Sequence, residues 1–165
     1  MTVKMFGVAK PVAINFVQQG MVLVASDHQG HRLAGIAVEG PYGPLFAVIW
    51  SAGETSPPYI VELSDAHQSL SVIDGDLEIE PLEPFVALTE RSLRSEGLFV
   101  TSDGRIGLAV GVQTHTSYAK QRRHFDLSDG APMTSNGGSQ GMLGEVRVYV
   151  RQNGREERLL LWPQT

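Results

Sequence analysis

The chain contains no cysteine. Disulfide staples, thiolate nucleophiles and cysteine-ligated zinc or iron–sulfur centres are therefore excluded together. Long apolar runs are missing too. The longest, Leu45 to Trp50, falls far short of the ~20 residues that a membrane-crossing helix needs. The opening stretch MTVKMFGVAKPVAINF has no charged leader followed by an apolar segment, so no signal peptide is expected and a soluble, cytoplasmic setting is favoured. Charge is scarce at 19% of residues, and positions 33–90 hold no lysine or arginine.

What is abundant points the other way. Hydrophobic residues make up 42% of the 165 positions, with 18 glycines and 9 prolines. That balance is too apolar for a disordered chain and too rich in turn formers for a helical bundle. The length suits one domain over 1–165 with a core that needs no staples.

Strand signals dominate. Val12, Ile14 and Phe16 alternate as a half-buried strand should. Met21–Ala25, Leu33–Val38 and Leu45–Trp50 are short apolar runs bounded by turn formers, the mark of buried strands. Tyr59, Val61 and Leu63 alternate after Pro57-Pro58. Ile106, Leu108, Val110 and Val112 share one face of a strand whose other face is Gly107, Ala109 and Gly111. Small residues there point to curvature, a close neighbour or a ligand. Val146, Val148 and Val150 alternate with Arg147, Tyr149 and Arg151. Asn153-Gly154 is a two-residue hairpin signal that sets Val148 opposite Leu159 and leaves Val150 opposite Glu157. Asp74-Gly75 and Asp103-Gly104 are read as two further hairpins, and Ser26–Gly30 as one with a longer loop. Residues 87–96 fit a short helix, and a single turn fits near Ser64.

These signals define an all-β fold, a sandwich or a partly closed barrel of about ten mostly antiparallel strands with at most two short helices. A weak internal likeness, Val22–Asp27 against Leu98–Asp103, raises the option of a duplication of 11–86 in 87–165. The net charge of −5 is unevenly spread, with +2 on residues 1–32, −10 on 33–90 and +3 on 91–165. Pairing of acidic with basic strands is the economical explanation, and self-association through a dipolar surface is the other.

Four groups of residues invite chemistry. Asp27, His28 and His31 share one hairpin loop; a divalent metal there needs a further ligand, and a polar turn is the plainer reading. Lys120, Arg122, Arg123 and His124 form the one dense basic run, fit for a small anion or for protecting a strand edge, while the acidic total disfavours nucleic acid. Gly137-Gly138-Ser139-Gln140-Gly141 matches the hydrolase G-x-S-x-G string, but no histidine or aspartate follows it and no strand–turn–helix frames it. Asp76, Glu78 and Glu80 stand on one strand face, where carboxylates point in parallel and do not wrap an ion. The longest stretch without a structural signal is 126–144, a candidate lid. No single motif names a reaction. The functional expectation is a non-catalytic structural or protein-interaction module, homo-oligomeric or bound to another protein. The alternatives are a small-ligand-binding β-barrel with 126–144 as its lid, and a small metal-dependent hydrolase.

Overall fold

A computed structural model describes residues 9–55, 57–64, 70–84, 86–87, 96–114, 117–133, 139–152 and 158–160. A six-stranded sheet takes β1 (Ala9–Pro11), β2 (Val22–Ser26), β3 (Arg32–Val38), β4 (Leu45–Ser51), β5 (Tyr59–Val61) and β6 (Ser71–Ile73), in the order β1-β6-β2-β3-β4-β5. A three-stranded sheet holds β7 (Gly75–Pro81), β13 (Val146–Gln152) and β14 (Arg158–Leu160), with β13 in the middle. A five-stranded sheet runs β11-β10-β9-β12-β8, from β8 (Val86–Ala87), β9 (Gly97–Thr101), β10 (Ile106–Thr114), β11 (Ser117–Asp126) and β12 (Ser139–Met142). Every ladder is antiparallel. The architecture is all-β and sandwich-like, and among the described residues no sheet closes into a barrel. Among the described residues the one helical element is a 3-10 turn, Ile14–Phe16.

Burial explains the apolar runs. Val22, Ala34, Ile36, Val38, Ala47 and Ile49 point from one face of the six-stranded sheet into a core shared with Leu108, Val110 and Phe125 of the five-stranded sheet and Val148 and Val150 of the three-stranded sheet. The alternate residues Leu23, Ala25, Leu33, Phe46 and Val48 form a second cluster on the opposite face, closed by Val17, Leu63 and Leu70. A strand buried on both faces has no solvent side on which to place polar residues, so β3 reads as a continuous apolar run. Fully buried Phe46 and Phe99 each contribute about 1.5–3 kcal/mol by leaving water.

The β2–β3 and β9–β10 hairpins close in the same way. Asp27 N–H donates to His31 O and Gly30 N–H to Asp27 O; Thr101 N–H donates to Arg105 O and Gly104 N–H to Thr101 O. Gly30 and Gly104 take φ values of 82° and 83°, the left-handed region that such three-residue loops require.

Four expectations are corrected. The segment Val12–Phe16, read as a strand, begins just after β1 and holds the 3-10 turn Ile14–Phe16 instead; Val12 and Val17 pack in the second cluster, while Ile14 and Phe16 are exposed. Asp74-Gly75 is a corner and not a hairpin: β6 pairs with β1 and β2, whereas β7 crosses to pair with β13. In the β13–β14 ladder Val150, not Val148, stands opposite Leu159. This two-residue shift keeps the same face inward and replaces the awkward Val150–Glu157 pair with an apolar one. Within 126–144, residues 139–142 form β12 between β9 and β8, and the stretch up to Met133 folds back on β11. Residues 88–95, where most of the short helix is expected, and 153–154 lie outside the described residues.

Candidate functional site

A cleft of about 1060 Å³ opens where strands of all three sheets end. The β2–β3 loop brings His31 and Arg32 to it, β4 brings Ile49, Trp50 and Ser51, the start of β9 brings Glu96 and Leu98, and the β12–β13 link brings Leu143, Glu145, Val146 and Arg147. Its floor is apolar and its rim carries both signs of charge.

A β-bulge shapes one wall. Ala34 pairs with Trp50 and the next residue, Gly35, pairs with Val48, so Ile49 is the extra residue in β4. In a regular strand Ile49 and Trp50 would face opposite sides. The bulge turns both toward the shared core, Ile49 buried and Trp50 half-buried at the cleft. Bulges recur beside binding sites because they re-aim one side chain without breaking the sheet.

Asp27 and His31 meet at the cleft's edge. Asp27 Oδ1 accepts the backbone N–H groups of Gln29 at 2.9 Å and His31 at 2.8 Å, and Oδ2 lies 3.1 Å from His31 Nδ1. Partial desolvation acts to raise the Asp27 pKa, but the backbone and ring of His31 and the Gln29 N–H outweigh it and hold the carboxyl below its ordinary value. Both oxygens are thus committed inside the loop. His28 is exposed at the loop tip. Among the described residues no three His, Asp or Glu side chains come together in a way that holds a metal ion, and Ser51 Oγ accepts the Gly53 N–H at 3.0 Å.

The basic run lies on the edge strand β11, and strand alternation divides it. Arg123 pairs with Val110 and is exposed, with Nη2 3.2 Å from Gln121 Oε1. Arg122 and His124 pair with Gly111 and Ala109, on the opposite face. Lys120 enters the ladder opposite Gln113, and its side chain lies outside the described residues. On the Arg122 face the Phe99 ring lies directly over Gly107, in the space a Cβ would take, and stands edge-on to His124 with ring centres 5.8 Å apart. Glu96 Oε1 accepts the Gly111 N–H at 3.1 Å. Arg122 Nε and Nη1 are shut off from solvent and have no hydrogen-bond partner. Burial pushes the Arg122 pKa down and the Glu96 charge opposes that. A buried donor left unsatisfied costs about 1–3 kcal/mol, and more when it is charged.

The stretch after β11 is tied down. Asp126 N–H donates to Ala131 O, Met133 N–H to His124 O and Glu39 N–H to Gly130 O, while Leu127 is buried in the shared core. Ser139, the serine of the G-x-S-x-G string, opens β12 opposite Thr101. A strand follows it where the hydrolase motif requires a helix. Among the described residues no helix is long and apolar enough to cross a membrane.

No protein-family model, curated protein or solved structure matches the chain. What fold and site define is a class: an all-β, sandwich-like protein with an open cleft of mixed charge at the ends of its sheets. Sequence reading missed the cleft. Trp50, Glu96 and Arg147 are far apart in the chain, and only the pairing of distant strands brings them together.

Proposed function

We propose that this chain is a non-catalytic binding module whose recognition site is the cleft at the sheet ends. The supporting observation is the composition of that cleft: a half-buried tryptophan, an apolar floor from Ile49, Leu98, Leu143 and Val146, and a rim with Arg32 and Arg147 beside Glu96 and Glu145. Pockets of this size with an apolar lining and a few polar groups are the usual form of a small-molecule site. An aromatic wall with charge of both signs suits a compact organic ligand with a flat apolar body and polar ends.

The assembly reading has less behind it. Its main support was the segregated charge, and part of that is absorbed inside the fold, where acidic β7 lies along basic β13. Arg151 pairs with Glu78, and Tyr149 donates to Glu80 at 2.8 Å.

The test is a fragment panel of aromatic carboxylates, aromatic amines and zwitterions, read by Trp50 fluorescence in a Trp162→Phe background. Binding by members of the panel that Trp50→Leu weakens by about tenfold or more is expected. Hits that bind Trp50→Leu as well as the parent would place recognition elsewhere, and a panel without hits would count against a small-ligand cleft.

A further inference from the structure

The face of the five-stranded sheet turned away from the shared core carries a second feature, which has only Glu96 in common with the cleft. Leu108 and Val110 of β10 enter the core, so Gly107, Ala109 and Gly111 line the other face. Opposite Gly111 stands Arg122, with two guanidinium nitrogens closed off from solvent and unpartnered. Among the described residues the carboxylate whose charge acts on it is Glu96, whose Oε1 already accepts the Gly111 N–H. A guanidinium presents its donors as a planar fork that matches a carboxylate or phosphate oxygen pair, and such pairs are the strong hydrogen bonds of protein interiors. The Phe99 ring fills the space over Gly107, and Gly107, Ala109 and Gly111 are buried, so the way in for a ligand is the side on which Arg122, half-buried as a whole, meets solvent.

We propose that Arg122 anchors a binding site for a small oxyanion, a carboxylate, phosphate or sulfate group, on this second face of the five-stranded sheet. The oxyanion supplies the acceptors that Nε and Nη1 lack. Arg123, its neighbour in sequence, belongs to the opposite face and takes no part. Glu96 limits the site to compact anions and weakens them by its charge.

Phosphate, sulfate and acetate, each compared with chloride at constant ionic strength, are the probes, with thermal midpoint and calorimetric titration as the readouts. The wild type and Arg123→Gln are expected to gain midpoint with at least one oxyanion beyond the chloride control. Arg122→Gln is expected to lose about tenfold or more in affinity. Glu96→Gln, whose amide oxygen still accepts the Gly111 N–H, is expected to bind the anion more tightly. Arg122→Lys keeps the charge without the fork; it is expected to fold and to bind weakly, and it serves if Arg122→Gln does not fold. The preferred oxyanion separates a phosphate source from a carboxylate source. Equal response to chloride and oxyanions, or equal binding by Arg122→Lys and the wild type, would overturn the proposal.

Discussion

Asp126 shows how one side chain can hold a turn in place. Its Oδ1 accepts the Ser128 backbone N–H at 2.9 Å and the Ser128 hydroxyl at 2.7 Å, and Oδ2 accepts Arg105 Nη1 at 3.0 Å. Burial works to raise its pKa, yet Ser128 and Arg105 together keep it below the ordinary value of 3.8. A carboxyl depressed in the folded state adds stability above its unfolded pKa and loses that contribution as pH falls through the folded value. Asp126→Asn is therefore expected to cost about 1–3 kcal/mol near neutral pH. The gap from wild type should narrow steadily once pH drops below 3.8. Urea midpoints across that range check it, and a gap independent of pH would contradict the role given to the charge. Gly107 is a second position where one residue decides the packing. An added Cβ meets the Phe99 ring, so Gly107→Ala is expected to cost about 1–3 kcal/mol through overpacking. Combining it with Phe99→Leu should recover part of that loss, as a double-mutant cycle would measure.

Among elements, the β7–β13 ladder sets an acidic strand beside a basic one, an arrangement that the uneven charge suggested in general without marking these two strands as partners. Glu80 stands opposite Arg147 and Asp76 opposite Arg151, with Arg151 also reaching diagonally to Glu78. The side chains of Arg151 and Glu78 are 42% and 31% exposed, so this pair is worth at most about 1 kcal/mol. Glu78→Gln should shift stability by less than that, Glu78→Arg by more, and Glu78→Arg with Arg151→Glu should return toward wild type. Chemical denaturation of the four proteins checks this. Elsewhere local pattern misled. The β13–β14 register was read from the turn residues Asn153-Gly154, whereas the observed ladder sets the fully buried Val150 opposite Leu159. Asp74-Gly75 carries the residues of a tight hairpin, but Ile73 belongs to the core on the six-stranded sheet and β7 to a different sheet. Nothing local in Ser139–Met142 marks a strand. β12 is set by its long-range pairing with β9, and it carries the two-residue β8 on its other edge.

On the scale of the whole molecule, the core was legible and the site was not. Alternating and continuous apolar runs are properties of single segments, so β2, β3, β4, β10 and β13 could be read one at a time. Leu108, fully buried where the sheets meet, should cost about 2–5 kcal/mol as Leu108→Ala, measurable by thermal or urea unfolding. The cleft, by contrast, is a product of topology. It needs the β2–β3 loop, the bulge at Ile49 and the β12–β13 link to arrive at one place, and no spacing in the chain records that meeting. The basic run was visible in sequence, but only the β10–β11 register separates Arg122 from Arg123. The most direct test of the cleft as the recognition site is a backbone and indole amide NMR map of the fragment panel. Shifts gathered on Gly30–Arg32, the Trp50 indole, Glu96–Leu98 and Leu143–Val148 are the expected result. Shifts gathered on another surface, with these signals unmoved, would contradict it.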